Sequence, residues 1–256
     1  DELGIPEKMA WNIFRPFAIR EYTASGIGAD VARREMEEKL PRARQMLESA
    51  MNKRTVLMNR APSLHKFSIM AFKPKLSEGL AVRVPPLILK GFGGDFDGDA
   101  VTIHVPTSDE ALIESRRMFP SNNLFKPGTG ELMIMPSQER AIGLYFLSQT
   151  PKGRERINTI LPSKYRISAA LDAKAASGLY NRLAKEDPKN YHNVVFDLKQ
   201  LGDKEAYEKG FSVGLKDLVT GTSIKDKVFA RADKDADLLK KHMKAGTELD
   251  QKVSNL

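Results

Sequence analysis

Asp95, Asp97 and Asp99 occupy alternate positions of the run Gly93-Gly94-Asp95-Phe96-Asp97-Gly98-Asp99, with glycines before and inside it. Three ionised carboxylates this close repel one another. A hard divalent cation at their centre reverses that penalty, because such ions prefer carboxylate oxygens. The glycines permit the tight turns that converge the side chains. The chemistry that suits the arrangement is phosphoryl or nucleotidyl transfer. A metal there lowers the pKa of an attacking hydroxyl and neutralises charge on phosphate oxygens, and a second metal roughly 3.5–4 Å away holds the leaving pyrophosphate. Octahedral magnesium keeps several waters, so three protein carboxylates leave room for a 3′-hydroxyl and an α-phosphate oxygen.

Other uses of such a run fare less well. An EF-hand loop needs a glycine in sixth place and a glutamate in twelfth; counted from Asp95, those places hold Ala100 and Pro106. A solvated Asp-rich turn leaves Phe96 at the centre, and the apolar segments on both sides, without explanation. A structural calcium site of another kind remains an alternative.

The elements that must position the run are legible in part. Residues 6–53 read as helical, with Met9, Ile13, Phe14 and Phe17 on one face. Gly26 and Gly28 interrupt the pattern, and Pro41 divides the second stretch. The charges of that stretch, Arg33, Arg34, Lys39, Arg42 and Arg44, are interleaved with Glu37, Glu38 and Glu48, as on a solvated face. From 55 to 105 the texture changes to short β-branched and apolar runs at 55–58, 68–72, 80–84, 87–89 and 101–105, punctuated by Gly and Pro. This predicts a compact β barrel, with the acidic run on a loop between the last two strands. Thr107 and Glu110 have the spacing of a capping box and predict a helix through Phe119. Residues 120–135 read as loop or short strand. Further helices are expected over 137–148, 166–185, 191–201, 203–209 and 224–254, with a turn between Gly210 and Gly214.

The chain has 256 residues, 41% hydrophobic and 29% charged, ordinary values for a globular protein. No apolar run approaches the roughly 18 residues of a membrane span, and no signal peptide opens the sequence. Cysteine is absent, which excludes disulfides and thiolate-bound zinc and fits a reducing compartment. A formal charge of +8 and a pI near 9.5 are compatible with a polyanionic partner such as nucleic acid. The lack of an initiator Met suggests a fragment or a processed product.

Asp95-Phe96-Asp97-Gly98-Asp99 resembles the core of the Asn-Ala-Asp-Phe-Asp-Gly-Asp motif in the largest, β′-type subunit of multisubunit RNA polymerases. Met58-Asn59-Arg60-Ala61-Pro62-Ser63-Leu64-His65 is similar to that family's Leu-Asn-Arg-Ala-Pro-Thr-Leu-His. His104-Val105-Pro106, Ser121-Asn122-Asn123-Leu124, Gly130-Glu131, Pro136-Ser137-Gln138 and Gly143-Leu144-Tyr145 match in order. Segments near the start, from Gly4 to Ala10 and from Phe14 to Phe17, and a later one from Gly210 to Asp217, also resemble it. The resemblance is dense over 54–148 and thin over 150–205.

The resemblance implies an α+β fold: a double-psi β barrel carrying the acidic loop, flanked by helices and followed by a mainly helical funnel and rim region. The corresponding divisions are 1–54, an N-terminal helical part; 55–135, the barrel; 136–222, the helical funnel; and 223–256, the first arm of a rim helical hairpin. It implies that Asp95, Asp97 and Asp99 hold catalytic Mg2+, with a second ion arriving with the nucleoside triphosphate. Arg60 would lie near the incoming sugar, its guanidinium offering fixed donors to hydroxyls; Gln138 would help orient the funnel wall. His65 and His104 are expected to pack or hydrogen-bond. Lys73, Lys75, Arg83 and Lys90 suit a nucleic-acid path or plain solvation equally.

The implied partners are a β-type subunit or second barrel domain, the bridge-helix and trigger-loop portion of β′, DNA template, RNA product, nucleoside triphosphates and a specificity factor, with no membrane. The chain ends before the family's bridge helix and trigger loop, so by itself it should be nearly inactive. One departure stands out: Gly93-Gly94 replaces the family's Asn-Ala. Glycine cannot recognise a 2′-hydroxyl, so ribose discrimination should rest on Arg60 or be weaker. The departure also points to a phage or plasmid lineage, located in the host cytoplasm or virion. Two alternatives stand beside this expectation: a two-barrel RNA-directed or single-chain polymerase, and a non-catalytic nucleic-acid-binding or assembly module.

Overall fold

The computed structural model describes residues 1–212, 214 and 222–254. It divides into two compact units, Asp1–Lys209 and Gly210–Leu256. The first is a mixed α+β body and the second, as far as it is described, is one long helix.

The first unit begins with strand β1 (Glu2–Pro6), which sequence reading left unassigned, and then four helices: α1 (Glu7–Ile13), α2 (Arg15–Ala24), α3 (Ala29–Glu38) and α4 (Pro41–Asn52). The breaks fall where local chemistry sets them. Gly26 takes a positive φ of 81° after α2. Lys39 caps α3 in the left-handed region, and Pro41 then opens α4 at a position whose N–H needs no partner. Ala43, Leu47, Ala50 and Met51 put the apolar face of α4 into the core. A buried polar cluster ties three of these helices together. The Tyr22 hydroxyl of α2 donates to Glu35 of α3 at 2.8 Å, and Arg42 of α4 donates to the same carboxylate at 2.9 Å from Nε and again from Nη2.

Strands β2 (Val56–Asn59), β3 (Ile69–Ser77) and β4 (Thr102–His104) complete a four-stranded sheet of order β1-β3-β2-β4. The long β3 serves both halves of it. Its first part pairs antiparallel with β2, from Val56↔Phe72 to Asn59↔Ile69, and its second part runs parallel to β1, from Glu2↔Lys73 to Pro6↔Ser77. β2 pairs antiparallel with β4. Leu3, Ile5, Val56, Met58, Met70 and Phe72 are buried in this layer.

Two expected strands are absent. In 80–84 only Arg83 bridges to Gly4. Gly79 turns the chain at φ 89° and the following prolines cannot extend a ladder. Residues 87–89 belong instead to a 3₁₀ turn, Pro86–Ile88, that feeds the short helix α5 (Leu89–Phe92). Proline presets the helical φ there, and Leu89 and Phe92, three apart, are both buried, with Phe92 stacked on Phe72 at 6.3 Å. The acidic run therefore follows a helix rather than a strand.

The helix after β4 is α6 (Asp109–Ser115), continued by a 3₁₀ turn at Arg116–Met118. Its N-cap is Ser108, one place beyond the expected Thr107, and the Ser108 hydroxyl accepts from the Ala111 amide at 3.2 Å. Then come α7 (Glu139–Ser148), α8 (Pro151–Ile160), α9 (Ala173–Glu186) and α10 (Pro188–Lys209). α8 was not anticipated from sequence, although Thr150 at the N-cap and Pro151 after it carry the signal. The stretches 191–201 and 203–209 form one helix rather than two, because Gly202 is needed for packing against α7 and does not end the helix. In the second unit α11 (Thr222–Ser254) matches the expected last helix, and Val228, Phe229, Leu238 and Leu239 are exposed on it. The expected turn between Gly210 and Gly214 falls on backbone that is neither helix nor strand at 210–212 and 214, with Gly210 at φ 58°, while residue 213 lies outside the described residues.

Candidate metal centre

The acidic loop is suspended between the end of α5 and the start of β4. Gly93 caps α5 with φ 58°, and Gly98 takes φ 123°, a conformation only glycine adopts readily. Pairing of Asn59 with Thr102 brings the end of β2 beside the start of β4, and so puts Arg60 next to the loop. The structure brings oxygens of Asp95, Asp97 and Asp99 within 4.8 Å of one another, with all three residues exposed. Ligand oxygens of octahedral magnesium lie about 3 Å apart when adjacent and about 4.2 Å when opposite, so the three carboxylates would draw closer together to hold such an ion. Three oxygen donors and no nitrogen or sulfur suit a hard cation.

The loop is held by its own hydrogen bonds. The Asp95 amide donates to Asp99 Oδ2 at 3.2 Å and the Asp97 amide to Asp95 Oδ1 at 3.4 Å. Arg60 forks onto Asp99, with Nε to Oδ2 at 2.7 Å and Nη2 to Oδ1 at 3.1 Å, while Nη1 reaches the Phe92 carbonyl at 3.5 Å. The fork is about three-quarters shielded, its side chains 25% and 26% exposed. The charges divide accordingly. Hydrogen bonding from Arg60 holds the Asp99 carboxyl below the usual carboxylate range, and the same bond raises the guanidinium. Asp97 moves the other way, raised first by its side-chain hydrogen bond with Asp95 and then by the Asp95 charge. A cation would relieve that repulsion.

Beside the triad lies a cavity of about 490 Å³. Arg60, Asp95 and Asp99 stand on its polar side, and Leu80, Val82, Val84, Leu89, Phe92 and Val101 on its apolar side. Periodicity did not single out these apolar residues as site-forming, since they come from the short helix α5 and from irregular segments that only the tertiary fold brings together. Gly94 was also missed as a contributor. A Cβ there would sit 3.3 Å from both Arg60 Cδ and Asp99 Oδ2, so its absence makes room for the fork.

Gln138 is placed elsewhere. It caps α7 with φ 57° and its Oε1 accepts from Arg140 at 3.4 Å, and it does not line the cavity. His65 accepts from the Phe67 amide at 3.2 Å and packs edge-on against that ring. Lys90 is engaged with the Leu132 carbonyl at 3.0 Å and Glu131 at 2.9 Å, and Lys73 lies over the Phe119 ring.

The site is thus an acidic loop on a small sheet, faced by an arginine from the neighbouring strand end. Residues 24–120, which hold Arg60 and all three aspartates, match the family described as RNA polymerase Rpb1, domain 2. Over most of its length the chain is also similar to proteins named DNA-directed RNA polymerase subunit beta′. It is 36% identical over 177 residues to that of Nitrosomonas eutropha, covering 68% of the chain and 13% of the relative. With Hydrogenovibrio crunogenus it is 38% identical over 182 residues, covering 68% and 13%. With Sulfurihydrogenibium sp. it is 30% identical over 284 residues, covering 92% and 18%. The chain spans less than a fifth of the length of these relatives. Among the described residues no helix is long and apolar enough to cross a membrane.

Proposed function

We propose that this chain is the metal-holding segment of the largest, β′-type subunit of a DNA-directed RNA polymerase, supplying nucleotidyl transfer from nucleoside triphosphates to an RNA 3′-hydroxyl. The observation that carries this reading is the convergence of Asp95, Asp97 and Asp99 within 4.8 Å inside the stretch that matches the polymerase family.

In this reading the three carboxylates hold Mg2+, and a second ion enters with the nucleotide. When bound, the metal lowers the pKa of the attacking hydroxyl and offsets charge on the phosphate oxygens. The chain's own residues do the rest. The glycines hold the carboxylates in convergence, Arg60 donates to the hydroxyls of the incoming sugar, and the apolar cavity wall excludes water from one side of the nucleotide. Gln138 acts at one remove, orienting the wall that begins with α7. Strands β2, β3 and β4 with their neighbouring turns belong to a double-psi barrel over 55–135, preceded by a mainly helical part over 1–54 whose β1 joins the same sheet. The segments 136–222 and 223–256 are the funnel and one arm of the rim hairpin.

The remaining parts come from elsewhere: a β-type subunit with the second barrel, the bridge-helix and trigger-loop portion of β′, and a specificity factor, acting on DNA and RNA in the cytoplasm. Positioning by those parts supplies much of the rate. The test is Asp97→Ala in the complete polymerase. RNA synthesis should fall on the order of a thousandfold while the subunits still co-elute. Unchanged synthesis by the intact assembly refutes the reading, and transcription of RNA but not DNA templates would replace it with an RNA-directed enzyme.

A further inference from the structure

We propose that Arg60 competes with the metal for Asp99, so that binding of the cation releases the guanidinium to the cavity. The inference rests on the metal reading of the triad. Both Asp99 oxygens are occupied by Arg60, at 2.7 and 3.1 Å, and Oδ2 also accepts from the Asp95 amide at 3.2 Å. Among the described residues no lysine, arginine or histidine forms an ion pair with Asp95 or Asp97. The three carboxylates are therefore unequal: two are open to an incoming ion and the third is held by a cation already.

Asp99 Oδ2 already accepts from Arg60 and from the Asp95 amide, so a metal that engages all three carboxylates has to take Oδ2 or share Oδ1 with Arg60 Nη2, and at that range its charge repels the guanidinium. Arg60 keeps a foothold at the Phe92 carbonyl, at 3.5 Å, on the wall of the cavity. Freed from Asp99, its donors face the space where a substrate would bind. Gly94 is the positioning residue that permits the closed state, since a side chain there would press on Arg60 Cδ and Asp99 Oδ2, each 3.3 Å from its Cβ position.

The experiment uses Fe2+ as a probe in the complete polymerase, where bound iron with ascorbate and peroxide cuts the backbone close to its site. Cutting within 93–100 is followed against Fe2+ concentration. Arg60→Gln should reach half-maximal cutting at about tenfold lower Fe2+, through removal of a competing charge. Arg60→Lys, which keeps the charge but loses the fork, should fall between variant and parent. Gly94→Ala, which disturbs the fork and leaves the charge in place, should shift the same way by a smaller factor, and it decides the matter should Arg60→Gln not assemble. A midpoint unchanged or raised in these variants overturns the competition. Cutting in the parent that survives Asp97→Ala shows that the ion is not held by the triad, and overturns the metal reading together with this inference.

Discussion

Gly143 of α7 and Gly202 of α10 meet backbone to backbone. A Cβ on Gly143 would land on the Gly202 carbonyl oxygen, and one on Gly202 would land on the Arg140 carbonyl oxygen. Arg140 and Asp203 close the same crossing with an ion pair at 3.0 Å. Gly143→Ala must push the helices apart and should destabilise the first unit by about 1–3 kcal/mol. Gly178→Ala, in α9 with open space around it, should stabilise by up to about 1 kcal/mol through helix propensity. Urea unfolding of the two variants checks the contrast.

The cluster of Tyr22, Glu35 and Arg42 makes a prediction about acid. Hydrogen bonds from Arg42 and then Tyr22 hold Glu35 below its ordinary value of 4.5. A carboxylate lowered in the folded state contributes stability above its unfolded pKa, and that contribution is lost as pH falls through the folded value. Glu35→Gln should therefore flatten the dependence of the urea midpoint on pH below about 4.5. In the parent, Tyr22 is raised to about 12 by burial, with help from Glu35. Phenolate absorbance in an alkaline titration should show this tyrosine ionising closer to its usual value in the Gln variant.

Gly93 and Gly98 should respond differently to substitution. At Gly93, φ 58° lies where asparagine is tolerated, and no atom comes within 4 Å of a Cβ there. Gly93→Asn should fold normally and increase the preference of the complete polymerase for ribonucleotides over deoxyribonucleotides. Competition between rNTP and dNTP incorporation measures this, and a variant that discriminates no better than the parent refutes it. At Gly98, φ 123° lies outside what L residues adopt. Gly98→Ala should cost roughly 1–3 kcal/mol of local strain and lower RNA synthesis by displacing the aspartates on either side.

The cap of α8 is a local feature with a local cost. Thr150 accepts from the Gly153 amide at 3.0 Å, so Thr150→Ala should lose about 1 kcal/mol, while Thr150→Ser should keep most of it. Thermal unfolding of both variants tests the difference.

Several elements were legible in sequence because their causes are short-range. Proline after a left-handed cap divides α3 from α4. Of the helical face expected from Met9 to Phe17, Phe14 is buried and the rest half-buried, although that face spans the break between α1 and α2 and α1 itself buries Ala10 and Trp11. The acidic residues declare themselves through type and spacing alone. Where local signals compete, sequence was a weaker guide. The apolar run at 87–89 suits strand or helix, and the prolines before it, with burial of Leu89 and Phe92, select helix. Gly202 looks like a helix break until its partner Gly143 is known.

Sequence by itself determined the chemical identity of the candidate site: three carboxylates on alternate positions, set among glycines, with motifs shared with a polymerase family. Only the tertiary structure decided that Arg60, 39 residues before Asp99, forks onto it, and that Gly94 leaves the space for this. The physical reason is range. Residue type and backbone freedom act over a few neighbours, whereas the Arg60–Asp99 contact exists because β2 pairs with β4 in one register, chosen by the packing of the whole sheet.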